Sequence, residues 1–210
     1  GANAPEQDWD DYGDIDLTDK LVIYLVNDPD FAAQPDEPVA GRFGNRRMTY
    51  YGRWAYKFEE AARRGAFGAL VIHETEAAGY DWSVAAAGAG ENVSLANKDP
   101  KALPVKLQGW LHNDAAHKLL ATAGHDLDAL REKARQPEFQ AFELEGIRFN
   151  ADLEVDITTF DSQNVLGLIP GSARPEEVIM ASAHWDAYGI GAPDEQGRTV
   201  RAGANDDALG

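Results

Sequence analysis

Cysteine is absent from the 210-residue chain. Its absence excludes disulfides, thiolate metal sites and cysteine nucleophiles together, and leaves the redox compartment open. Positive charge is scarce: 19 Lys and Arg stand against 36 Asp and Glu, a formal net charge of −17. A nucleic-acid partner is not expected, because the chain lacks the dense basic face that neutralising phosphate requires. No apolar run approaches the length of a membrane span, and no basic-then-apolar leader follows Gly1, so neither a membrane segment nor a signal peptide is expected within these residues. Ser162, Ser172 and Ser182 lack the Gly-x-Ser-x-Gly elbow, which argues against a serine hydrolase.

What remains is ordinary material for a soluble globular chain, with 44% hydrophobic and 10% aromatic residues. The acid surplus is lopsided, since residues 1–19 hold seven acids and no base. That opening has no spaced loop with a closing glutamate, so it reads as a solvated surface segment rather than a calcium site.

Leu21-Val22-Ile23-Tyr24-Leu25-Val26 is a nearly continuous apolar run ended by Asn27-Asp28-Pro29, and predicts a buried strand. Residues 30–47 read as loop. Trp54, Phe58, Ala61 and Ala62 recur at helical spacing between Tyr50 and Arg64, with Gly65 as the stop. Residues 66–72 predict a second buried strand, giving a βαβ unit and an α/β class for this part. Residues 77–101 read as surface loop, 103–107 as a short third strand, and about 111–123 and 126–135 as helices. The sum is a compact unit of roughly 135 residues, an ordinary domain size.

From Phe142 to Phe160 polar and apolar residues alternate, most plainly at Leu153, Val155 and Ile157, which is strand periodicity with one wet face. Residues 164–169 and 178–183 predict two further strands joined as a hairpin at Pro170-Gly171-Ser172. The second run leads straight into His184-Trp185-Asp186, and Gly203-Ala204-Asn205-Asp206-Asp207-Ala208-Leu209-Gly210 follows. Each piece alone has a bland reading: His-x-Asp is commonly a capped loop, and Asn-Asp-Asp in a turn is usually just a turn. In this order, after a hairpin and bracketed by glycines, they favour a metal site. Adjacent carboxylates repel, and a cation held between them relieves that cost. One carboxylate bridging two metals is the arrangement used in two-metal hydrolysis.

The histidines elsewhere read as structural. His73-Glu74-Thr75-Glu76 looks like a polar strand exit over a surface loop. His112 and His117 are five apart, off the spacing of a zinc helix pair, and are expected to be exposed. His125 sits at a helix end, where a dipole contact suffices. Tyr50, Tyr51, Trp54, Tyr56 and Phe58, with Arg46, Arg47 and Arg53, read mostly as core and helix face, a minority being suited to lining a peptide cleft.

The run from Asn164 to Gly171, the run from Val178 to Asp186 and the run from Gly203 to Gly210 together resemble the co-catalytic di-zinc aminopeptidases, which include bacterial leucyl aminopeptidases and the glutamate carboxypeptidase II group. The resemblance covers about residues 149–210, with Leu209 where many relatives have serine. It implies that His184 binds one zinc, that Asp206 bridges two zinc ions, and that Asp186 orients the imidazole as a catalytic second-sphere residue. It also makes Asp206–Asp207 a candidate cis peptide.

Residues 10–140 more softly resemble a protease-associated domain of the kind inserted into such peptidases over the active-site cleft. The implied fold is α/β (α+β): a protease-associated domain at 1–140, then the first strands of a mixed-sheet zinc-exopeptidase domain at 141–210, incomplete. The Glu-Glu pair, further Asp and distal His of the family are not in these 210 residues, so the chain reads as a fragment of an aminopeptidase. On its own it is expected to be inactive, to bind zinc weakly or not at all, and to self-associate through sheet edges. The implied partners are a peptide substrate and the remainder of the peptidase domain, and the implied location is periplasmic or secreted. Two other outcomes stay open: a transferrin-receptor-like interaction module, and a single-zinc glutaminyl cyclase-like enzyme.

Overall fold

The computed structural model describes residues 1–86, 93–96, 105–186, 190, 193 and 196–200. The chain divides into two compact units, Gly1–Thr159 and Phe160–Gly210. It is a mixed α/β protein with two small sheets, one antiparallel and one parallel.

The first unit opens with a hairpin, β1 (Asn3–Ala4) against β2 (Trp9–Asp10). The parallel sheet follows, with β3 (Leu21–Leu25), β4 (Gly68–Ile72) and β5 (Leu107–Leu111) in the order β3-β4-β5. Leu21 pairs with Gly68, and Gly68 with Leu107. The helices are α1 (Trp54–Arg63), the single turns α2 (Thr75–Ala78) and α3 (Trp82–Ala85), α4 (Asn113–Thr122) and α5 (Leu127–Lys133).

Both faces of the sheet are covered, which is why its strands are apolar almost throughout. Tyr24 and Val26 of the β3 run, and Ala69 and Val71 of β4, face a core shared with Phe58 and Ala61 of α1. Their neighbours Ile23, Leu25 and Ile72 face a second core with Ala116 and Leu120 of α4 and Leu127 of α5. Alternation by twos thus sends one apolar run into two cores. Gly65 closes α1 at φ +74°, a conformation glycine adopts without steric cost.

Three expectations for this unit need correction. Residues 1–19 are not merely a solvated segment. Ala2, Ala4, Trp9, Tyr12 and Leu17 are buried, and the acids serve the backbone. The Asp11 carboxylate accepts from the Ala2 N–H at 2.7 Å and the Trp9 indole N–H at 2.8 Å, while Asp10 and Asp16 accept from the N–H groups of Tyr12 and Thr18. Acids that close turns leave the intervening apolar residues free to face inward. Secondly, the third strand lies at 107–111, four residues beyond its predicted start, because Lys106 N–H donates to the Phe67 carbonyl at 2.9 Å and so sets the register against β4. Thirdly, the stretch read as surface loop from residue 77 contains α3 and the end of α2.

In the second unit no helix or strand forms among the described residues, where the backbone makes an antiparallel bridge between Ile190 and Val200 and a turn in which the Glu177 N–H donates to the Arg174 carbonyl at 3.1 Å. The predicted hairpin of 164–169 and 178–183 is not formed, nor is a strand between Phe142 and Phe160. A strand satisfies its N–H and C=O groups only through a neighbour, whatever its side-chain pattern. Among the described residues no strand pairs with these segments, and Val165 (93% exposed) and Ile179 (100% exposed) lie open.

Candidate functional site

His184 and Asp186 follow the apolar run 178–183 directly. They lie close together: the imidazole Nδ1 is 3.1 Å from the Asp186 Oδ1 and 3.2 Å from its backbone carbonyl oxygen. The local reason is spacing, since two residues in a bent, extended segment bring a side chain back onto its own turn. Both side chains are substantially exposed. A carboxylate on Nδ1 fixes that nitrogen as the protonated one and turns Nε2 into the donor nitrogen for a metal. Asp206, Asp207 and the proposed cis peptide between them lie outside the described residues. Among the described residues no group of three or more His, Asp or Glu side chains is arranged to hold a metal ion. Imidazole and carboxylate are donors that suit zinc, but His184 and Asp186 are fewer than the three protein ligands a zinc site takes.

His73 and His112 are placed differently from their sequence reading, whereas His125 lies at the end of α4 as expected, its backbone N–H donating to the Leu120 carbonyl at 2.9 Å. His73 is not a polar exit: it is only 3% exposed, with the rings of Tyr80, Trp82 and Trp110 at 5.5–5.6 Å. Its Nε2 has no hydrogen-bond partner among the described residues. His112 is half-buried and caps α4, its Nδ1 accepting from the Asp114 N–H at 3.2 Å while Trp82 packs edge-on at 4.9 Å. His125 rests against Phe142. The aromatic group splits as expected into core (Tyr56 and Phe58) and surface (Tyr50 and Trp54).

Sequence reasoning missed Lys57. It is fully buried on α1, where its Nζ donates to the carbonyls of Gly1 (3.0 Å) and Asn27 (3.3 Å). Burial pushes its pKa down to about 8, against the pull of Asp11 and Asp28. Burial pushes the Asp28 carboxyl up, with hydrogen bonds from Thr49 opposing. These groups border a cavity of about 120 Å³ beside the carboxyl ends of β3 and β4, which Glu74 and Arg131 also line. The only signal in sequence is a lysine on the apolar stripe of a helix, beside Phe58. A larger open groove of about 440 Å³ lies along His125, Phe139 and Phe142.

Residues 164–210 match the family model described as Peptidase family M28. No curated protein and no solved structure matches the chain. The matched segment begins at Asn164 and contains His184, Asp186 and Asp206. It supports a metal-dependent, zinc-type peptidase at the level of the family, hence a hydrolase. No helix among the described residues is long and apolar enough to cross a membrane.

Proposed function

We propose that this chain is part of a zinc-dependent exopeptidase of the aminopeptidase type, with His184 and Asp206 as metal ligands and Asp186 as the group that positions His184. The observation that carries the reading is the family match over 164–210, within which His184 and Asp186 lie 3.1 Å apart. Zinc in such a site polarises a peptide carbonyl and activates water for attack. The chain's own contribution is orientation and charge: Asp186 holds the imidazole in one tautomer, and the Asn205-Asp206-Asp207 sequence supplies carboxylate.

The exposed apolar runs at 164–169 and 178–183 support a further element of the proposal. Their sequence is that of strands buried on both faces, and such strands need covering. In this reading they belong to a catalytic sheet completed by additional polypeptide, which also brings the remaining metal ligands and the general base. Residues 1–140 are the protease-associated domain that borders the cleft, and the enzyme works outside the cytoplasm.

The test is hydrolysis of aminoacyl-nitroanilides by the complete enzyme with zinc present, beside its metal content by mass spectrometry. His184→Ala and Asp206→Ala are expected to lower kcat/KM by at least about 1000-fold with loss of zinc, and Asp186→Asn by about 10–100-fold with zinc retained more weakly. Full activity in Asp206→Ala would sink the two-metal reading. A wild type that holds zinc yet leaves these substrates intact would point to a cyclase-like reaction, and one that holds no zinc to an interaction module.

A further inference from the structure

The chain carries a surplus of 17 negative charges, yet residues 38–58 contain five cations and no acid. Three of the five are engaged. Lys57 is buried; Arg42 donates to the Gln7 carbonyl and lies over the Trp9 ring; Arg46 pairs with Glu76 at 2.7 Å and lies over Phe31. Arg47 and Arg53 are exposed, and neither has an ion pair, side-chain hydrogen bond or aromatic ring contact among the described residues. Arg63, Arg64, Arg131, Arg135 and Arg174, by contrast, all find carboxylates; among the described arginines Arg148 is also exposed without such a partner, and no exposed apolar cluster on a fastened loop adjoins it. Next to these two cations the chain leaves three large apolar side chains exposed: Met48, Tyr50 (52%) and Trp54 (48%).

The loop that presents them is fastened. The Asp30 carboxylate accepts from the N–H groups of Phe43 (2.9 Å) and Asn45 (2.8 Å), and Asp28 accepts from the N–H (2.6 Å) and hydroxyl (2.7 Å) of Thr49. Asn27 N–H donates to the Gly52 carbonyl at 3.1 Å, and a Cβ at Gly52 would lie 2.9 Å from the Asp28 carboxyl, so only glycine permits that approach. Two buried acids therefore hold the loop backbone at the carboxyl end of β3, the end of a parallel sheet at which ligands are usually bound. Burying carboxylates carries a free-energy cost that a passive connector does not require.

We propose that Met48, Tyr50 and Trp54, flanked by Arg47 and Arg53, form a docking surface for an acidic polypeptide segment that carries an aromatic or aliphatic side chain between its carboxylates. Arginine forks donate two parallel hydrogen bonds to a carboxylate, and exposed aromatic and methionine side chains are common interface anchors. Charge complementarity with Arg47 and Arg53 selects the occupant, while the Glu59 carboxylate that takes the Tyr50 hydroxyl bounds the surface on its helix side. The surface lies within Gly1–Thr159 and stands independently of the peptidase reading.

Fluorescence anisotropy of the 210-residue chain tests it, with a fluorescein-labelled peptide of sequence Gly-Asp-Phe-Glu-Asp-Leu-Gly and its Asn/Gln counterpart as probes. The acidic peptide is expected to bind at least about tenfold tighter than the amide form and to weaken as salt rises from about 50 to about 300 mM. Arg47→Glu with Arg53→Glu is expected to remove that preference at unchanged Tm, and the single glutamine variants to reduce it stepwise. Trp54→Ala should weaken both peptides while leaving the charge preference intact. Equal binding of the two peptides, an unaltered preference in the arginine variants, or no binding at millimolar peptide overturns the proposal. Tighter binding of a 12-nucleotide single-stranded DNA than of the acidic peptide overturns it in favour of a nucleic-acid surface.

Discussion

Leu21-Val22-Ile23-Tyr24-Leu25 and Asn164-Val165-Leu166-Gly167-Leu168-Ile169 are nearly interchangeable as compositions, and each is followed by a turn-forming Asp-Pro or Pro-Gly pair. The first is a strand, hydrogen-bonded along its whole length to β4 and covered on both faces. The second has no regular structure, and its aliphatic side chains are almost fully exposed. The difference lies in the partners, since β4 and two helical layers meet the first run and no described strand meets the second. Apolar runs are permission to be a strand, and pairing decides whether the permission is used.

The largest expected effect is in amide hydrogen exchange. Amides of β4, central in its sheet, should be protected at least about 1000-fold more than those of 164–169 and 178–183. Comparable protection in the two regions would break the contrast and restore the hairpin. Next, Leu127→Ala, at a fully buried position in the core under the sheet, should cost about 2–4 kcal/mol by urea unfolding. Ile179→Ala, at a fully exposed position, should cost less than about 0.5 kcal/mol. A large cost at Ile179 would show that this run is covered in solution.

The subtlest effect concerns Lys57. Its pKa is about 8 in the folded chain against 10.5 in the unfolded one, so between those values the unfolded chain holds a proton that the folded chain has released. Stability therefore rises with pH across that window. Wild type should gain on Lys57→Met by on the order of 2–3 kcal/mol between pH 7.5 and pH 10.5 in denaturant titrations. A flat difference would mean that water reaches the ammonium and burial does not depress it.

Legibility followed locality. The helix around Tyr56–Ala61 was readable because its hydrogen bonds and its stripe are both written within a few residues, and Gly65 marks its end. The His184–Asp186 contact spans two residues, and the spacing announces it. By contrast, the aromatic enclosure of His73 draws Tyr80 and Trp82 from one connection and Trp110 from β5, so neighbours in sequence gave no hint of it. The acids at 10, 11 and 16 looked like solvated charge because a count of charges carries no record of which N–H each carboxylate meets.

Sequence alone determined α1, α4 and α5, the strands β3 and β4, the acidic character and the His-x-Asp and Asn-Asp-Asp pattern within the family match over 164–210. Tertiary structure alone decided the register of β5, the burial of Lys57, the fastening of the arginine loop by Asp28 and Asp30, and the open state of the apolar runs after Phe160. The reason is physical: a helix closes its hydrogen bonds within itself, whereas a strand, a buried charge and a carboxylate clasp are each completed by groups from elsewhere in the chain.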